Sequence, residues 1–159
     1  TDFAAVQRLF AARQRLSVGG ATLRIESAVC VANDQALRSF RSTGGFDIDP
    51  LKAHKRGCDT LLFHGTKEIA VPNIQAIGRP TIQFAANGML GKGIYGAPDP
   101  RKSLQFCSTS AHGRFMFICR YNLSNAQHAG PSTTHRNTVF DEFCVYDDNH
   151  VVVLWILKL

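Results

Sequence analysis

Three runs of β-branched and aromatic residues, at 115–121, 139–146 and 151–157, are set apart by turn-forming residues. Such runs suit strands. The C-terminal half is therefore largely sheet. Upstream, Leu61-Leu62-Phe63 reads as a buried strand and residues 94–97 as a short one. In residues 23–31, Leu23, Ile25, Val29 and Val31 alternate with Arg24, Glu26 and Cys30, the pattern of a strand with one buried face. Helical signals are few and short. Asp2 can cap a helix carrying Phe3, Val6, Leu9, Phe10 and Leu16, stopped by Gly19-Gly20. A second helix is expected over 36–40. A third is expected to be capped by Thr66, to carry Ile69, Ile74 and Ile77, to bend at Pro72 and to end at Gly78. Asp99-Pro100 gives an N-cap and a first-turn proline for a fourth, running to about Cys107. Loops are expected over 43–57 and 79–91. Strands without regular helical alternation exclude a doubly wound sheet. The expected class is α+β, with a split, mixed, mostly antiparallel pair of sheets.

A chain of 159 residues, 45% of them apolar, is long enough for one domain with a buried core. Residues 1–159 are accordingly read as one unit, with 1–20 as an N-terminal helical extension. The longest apolar run, at 151–157, is far short of the roughly 20 residues a membrane-spanning helix needs, so no membrane partner is expected. Thr1 rather than Met opens the chain, as in a piece cut from a longer protein. The five cysteines, Cys30, Cys58, Cys107, Cys119 and Cys144, are odd in number and widely spaced. That pattern argues against a disulfide framework and for an intracellular setting, nucleus or cytoplasm. His112 follows Cys107 by five positions, but no CxxC or HxxxH companion completes four ligands, so no metal is expected. The formal charge is +6, and residues 100–140 contain no acid while holding Arg101, Lys102, Arg114, Arg120 and Arg136. Anionic partners are favoured: nucleotides, phosphates or nucleic acid.

Several familiar chemistries are excluded by context. Gly91-Lys92-Gly93-Ile94-Tyr95-Gly96 satisfies G-x-G-x-x-G, but a loop precedes it, Pro98 follows it, and no acid lies about 20 residues on. A phosphate-binding P-loop fails as well, since no Ser or Thr follows Lys92. No G-x-S-x-G elbow occurs. Three pieces remain, each ordinary alone. His64 ends a buried strand, where a histidine is usually a satisfied edge residue. Tyr95 lies in a glycine-rich turn into a strand. Glu142 shares a strand face with Phe140, Cys144 and Tyr146, so strict alternation aims a carboxylate inward or into a cleft. Carboxylates are seldom buried without a partner, which makes that cleft a functional candidate.

Together these pieces resemble the poly(ADP-ribose) polymerase-like ADP-ribosyltransferases of the His-Tyr-Glu class. Leu61-Leu62-Phe63-His64-Gly65-Thr66 is similar to the family's first motif. Gly91-Lys92-Gly93-Ile94-Tyr95, continued through Lys102-Ser103-Leu104-Gln105-Phe106-Cys107, is similar to its second. Phe140-Asp141-Glu142-Phe143-Cys144-Val145-Tyr146-Asp147 is similar to its third. The resemblance covers about residues 23–159 and implies a two-sheet fold with NAD, the co-substrate, in a cleft between the sheets. It implies that His64 holds the adenosine ribose, that Gly65 and Ser103 hold the nicotinamide carboxamide, and that Thr66 flanks them. Tyr95 and Phe106 would stack on the nicotinamide, and Glu142 would be catalytic. Departures are Gly96 where a bulky aromatic is frequent, Phe106 where many relatives have tyrosine, and a short loop at 79–89. The implied activity is transfer of ADP-ribose from NAD to a macromolecule, most simply a protein, as single units or chains. The helical regulatory region of some relatives is not expected here. A silent NAD- or ADP-ribose-binding module and a transferase acting on nucleic acid are the alternatives.

Overall fold

A computed structural model describes residues 3–14, 18–44, 59–131 and 139–159. Along the chain the helices are α1 (Phe3–Ala12), α2 (Asp34–Arg41), α3 (Val71–Ile77) and α4 (Pro100–Ser103). The strands are β1 (Ser27–Cys30), β2 (Asp59–Gly65), β3 (Ala86–Gly88), β4 (Gly91–Gly96), β5 (Phe115–Asn122), β6 (Gln127–Ala129), β7 (Glu142–Val145) and β8 (Val151–Lys158). They form two four-stranded sheets, ordered β1-β8-β5-β2 and β3-β4-β7-β6. Every pairing among the described strands is antiparallel. The α+β class and the split pair of sheets are as expected. Among the described residues one isolated bridge joins the sheets: the Phe63 and Ala97 amides each donate to the other's carbonyl, at 2.9 and 3.0 Å.

The first sheet is covered on both faces. On β5, Met116 and Ile118 pack with Phe63 of β2, Leu157 of β8 and Val6, Leu9 and Phe10 of α1. Phe10 meets Phe63 edge-to-face at 5.5 Å between ring centroids. The intervening β5 residues Phe117, Cys119 and Tyr121 point the other way, into a core shared with Ile94, Phe143 and Val145 of the second sheet. Period-two alternation thus sends one set of side chains to the helix and the other to the partner sheet. Leu62 joins the shared core, so His64, two residues on, lies on the same side of β2.

Local departures have physical causes. Val29 is 53% exposed because β1 is an edge strand whose inward residue is Ala28; the inward parity set by Leu23 and Ile25 slips before the strand begins. Thr66 caps nothing: a 3₁₀ turn, Glu68–Ala70, precedes α3, whose N-cap is Ala70. Pro72 sits in the first turn of α3, where its missing N–H costs nothing, so it starts the helix instead of bending it. Ile69 falls in the 3₁₀ turn and is 88% exposed. Gly78 ends α3 as expected, at φ 79°, with its N–H on the Ile74 carbonyl. Asp99 caps α4 through the Arg101 amide, and the helix tightens into a 3₁₀ turn, Leu104–Phe106. The 79–91 segment holds a 3₁₀ turn, Ile82–Phe84, and β3. The run at 139–146 is strand only over β7, and β6 was not anticipated. Asp2, Leu16 and residues 45–57 of the expected loop lie outside the described residues.

Candidate active site

The end of β2 delivers His64 and Gly65 beside the end of β4. His64 Nδ1 lies 2.7 Å from the Tyr95 carbonyl oxygen. A carbonyl only accepts, so Nδ1 carries the proton and Nε2 keeps a free lone pair. Burial pushes the His64 pKa down, which keeps the ring neutral near pH 7, while the bond to Tyr95 acts weakly in the opposite sense. Gly65 is needed for close approach, because a Cβ there would run into the Ser103 carbonyl oxygen. Ser103 is buried and its hydroxyl donates to the Phe63 carbonyl at 2.7 Å. With its one proton committed, Ser103 Oγ can serve a ligand only as an acceptor.

Tyr95 is buried on β4. Its hydroxyl accepts from the Leu90 amide at 2.9 Å and donates to the Gly91 carbonyl, so the ring is pinned at both ends. Burial, then the neighbouring Cys144, pushes its pKa up to about 12. Its ring faces that of Phe106 at 6.3 Å between centroids, tilted by 32°. Between these elements lies a cleft of about 580 Å³, lined by His64, Gly65, Thr66, Tyr95 and Phe106 together with an apolar wall that includes Ile69, Ile74 and Phe84. Five of the seven residues singled out in the sequence therefore converge on one cavity, from stretches as far apart as 64–66 and 106. Ser103 and Glu142 are not among its lining residues.

Ser103 stands behind Gly65. Glu142 begins β7, opposite Ala129 of β6 and one step beyond the Gly96–Phe143 pair of β4 and β7. The register thus sets it alongside Ala97, at the seam between the sheets. It is 6% exposed; burial raises its pKa, and the Lys102 ammonium pulls the other way. Its flanks are braced. His128 Nε2 and Asp141 Oδ1 are 2.8 Å apart, and the His128 ring stacks on Phe143 at 4.3 Å. Arg101 pairs with Asp99 at 2.8 Å and lies over the Phe140 ring. Arg101 thus has a local counter-charge and Arg120 lies over Phe40, so the basic stretch is not a bare cationic face; Arg136 is outside the described residues.

Sequence reasoning missed Tyr121. Fully buried on β5, it places its hydroxyl 2.9 Å from the Tyr95 carbonyl and 3.4 Å from His64 Nδ1. A Cβ on Gly96 would come within 2.7 Å of Tyr121 Cζ, so the glycine makes room for this ring. Two signals could have found it: a phenol closing a largely apolar run, and the glycine at position 96 within a strand.

The sequence matches the poly(ADP-ribose) polymerase catalytic domain over residues 1–138, and the chain belongs to that family. At the family level this means ADP-ribosyl transfer from NAD. The match stops short of Glu142. No curated protein matches the chain.

Proposed function

We propose that this chain transfers ADP-ribose from NAD to a protein acceptor, releasing nicotinamide, with His64, Tyr95 and Glu142 as its working triad. One observation carries the reading: the cleft that gathers His64, Gly65, Thr66, Tyr95 and Phe106. Its volume suits a ligand of nucleotide size. His64, neutral and protonated on Nδ1, offers Nε2 as an acceptor for a ribose hydroxyl. The Gly65 backbone and Ser103 Oγ would bind the carboxamide, the serine taking an amide N–H. Tyr95 is the fixed wall for the nicotinamide, and Phe106 the movable one. Two stacking gaps of about 3.5 Å need roughly 7 Å, so Phe106 swings outward as the donor enters. Such stacking contributes about 1–3 kcal/mol.

In the transfer step the bond from ribose C1 to the pyridinium nitrogen breaks, and nicotinamide leaves with the electron pair. The acceptor oxygen bonds to C1 and gives up its proton. Glu142 is suited to both needs: its negative charge favours the developing ribosyl cation, and its raised pKa brings it nearer to a working base at neutral pH. The product is a single ADP-ribose unit or a poly(ADP-ribose) chain. The odd number and wide spacing of the cysteines in the sequence support an intracellular setting.

The test is incubation with labelled NAD and candidate acceptors, read by mass spectrometry. Label on protein with free nicotinamide supports the reading. Label lost to nuclease points to a nucleic-acid acceptor, and tight NAD binding without nicotinamide release points to a silent binding module.

A further inference from the structure

Tyr121 connects the pieces of the site although none of the sequence motifs contains it. Its phenol donates to the Tyr95 carbonyl at 2.9 Å, the same oxygen that accepts from His64 Nδ1 at 2.7 Å. The carbonyl's two lone pairs are thereby filled from two directions, which fixes the peptide plane after Tyr95. The phenolic oxygen, with its proton spent, faces His64 Nδ1 at 3.4 Å and has only acceptor capacity to offer it. Both oxygens near Nδ1 are therefore acceptors. A ring protonated on Nε2 would set a bare Nδ1 lone pair against the Tyr95 carbonyl, and the phenol could answer it only by giving up its own bond to that carbonyl. Burial first, then Cys119, Cys144 and Glu142, keeps the phenol protonated, so the arrangement persists across neutral pH. The ring itself fits only because position 96 is glycine.

We propose that Tyr121 is a positioning residue: by sharing the Tyr95 carbonyl with His64, its hydroxyl holds the imidazole in the Nδ1–H form, with Nε2 free for the donor. The inference rests on the reading of His64 as a donor-binding residue, but it makes a claim about the empty protein too. Tyr121→Phe removes the hydroxyl and keeps the ring under Gly96, so packing is preserved. ¹⁵N NMR of the His64 imidazole in the absence of NAD reports the tautomer directly. In the wild type the Nδ1–H form dominates; in Tyr121→Phe the Nε2–H fraction rises. With NAD present, KM rises roughly three- to tenfold while kcat changes by less than about twofold, as for a lost ground-state contact.

Loss of packing alone would lower thermal stability without moving the tautomer. An Nε2–H ring in the wild type overturns the proposal, whatever becomes of the variant. An identical tautomer and KM in the two proteins overturns it as well. A tautomer shift in a protein that neither binds nor consumes NAD supports the positioning role and removes the donor reading instead.

Discussion

At the scale of single residues, Glu142 pits stability against chemistry. At 6% exposure its charge is penalised by desolvation, which raises the pKa, and Lys102 offsets this in part. Glu142→Gln keeps the shape and drops the charge. Its expected effect is twofold: transfer falls by ~10²–10³, while the fold gains about 1 kcal/mol, or about 2–4 °C in Tm. Labelled-NAD turnover and calorimetry on the same sample check both, and undiminished transfer refutes the catalytic assignment. His64→Ala removes the Nε2 acceptor and is expected to weaken NAD binding by about 1.5–3 kcal/mol, measured by titration calorimetry. Both residues were legible in the sequence, because a carboxylate in an apolar strand and a histidine ending one are anomalies visible in one dimension. Tyr121 was not singled out, since its meaning depends on Tyr95 and His64, which lie 26 and 57 residues away.

At the scale of elements, the close of α3 is a tight fit. Gly78 takes a left-handed φ of 79°, and a Cβ there would come within 2.7 Å of Asn33 Cβ, the residue that caps α2. Gly78→Ala combines backbone strain with crowding and is expected to cost about 2–4 kcal/mol, read as a lower midpoint in urea. The glycine stop was readable from the sequence, as was the Asp99-Pro100 start, because each is a local backbone requirement. Thr66 and Pro72 show the limit of the same logic. Both carry start signals, and the chain honours the proline because a 3₁₀ turn, not an α-helix, occupies the residues between them. On β1 the alternation held only in part, since an edge strand can let Val29 face water once Ala28 has turned inward.

At the scale of the whole molecule, two buried titrating groups give stability opposite slopes with pH. His64 has a depressed pKa in the fold, so the unfolded chain takes up its proton first, near 6.5, and stability falls as pH drops from there through the folded value. Glu142 has a raised pKa, so the folded chain keeps its proton longer; that contribution is full below about 4.5 and fades as pH rises through the folded value. Denaturation curves across pH 4–8 should show the wild type losing stability on the acid side of 6.5. His64→Gln should flatten that limb, and Glu142→Gln should remove the opposing one. The two sheets and their antiparallel character could be read from the apolar runs, but not how they meet. The seam at Phe63 and Ala97 and the apolar wall of the cleft arise from contacts between distant segments that no local pattern records.

That seam ties the fate of the whole chain to its most delicate part. Phe63 is followed at once by His64, and Ala97 lies alongside Glu142, so the two backbone hydrogen bonds that stitch the sheets also set the span across which a donor would be gripped. The halves cannot part without dismantling the grip. Heat inactivation is therefore expected to run ahead of, or together with, the loss of secondary structure, and the slowest-exchanging amides in the presence of NAD are expected at the stitch.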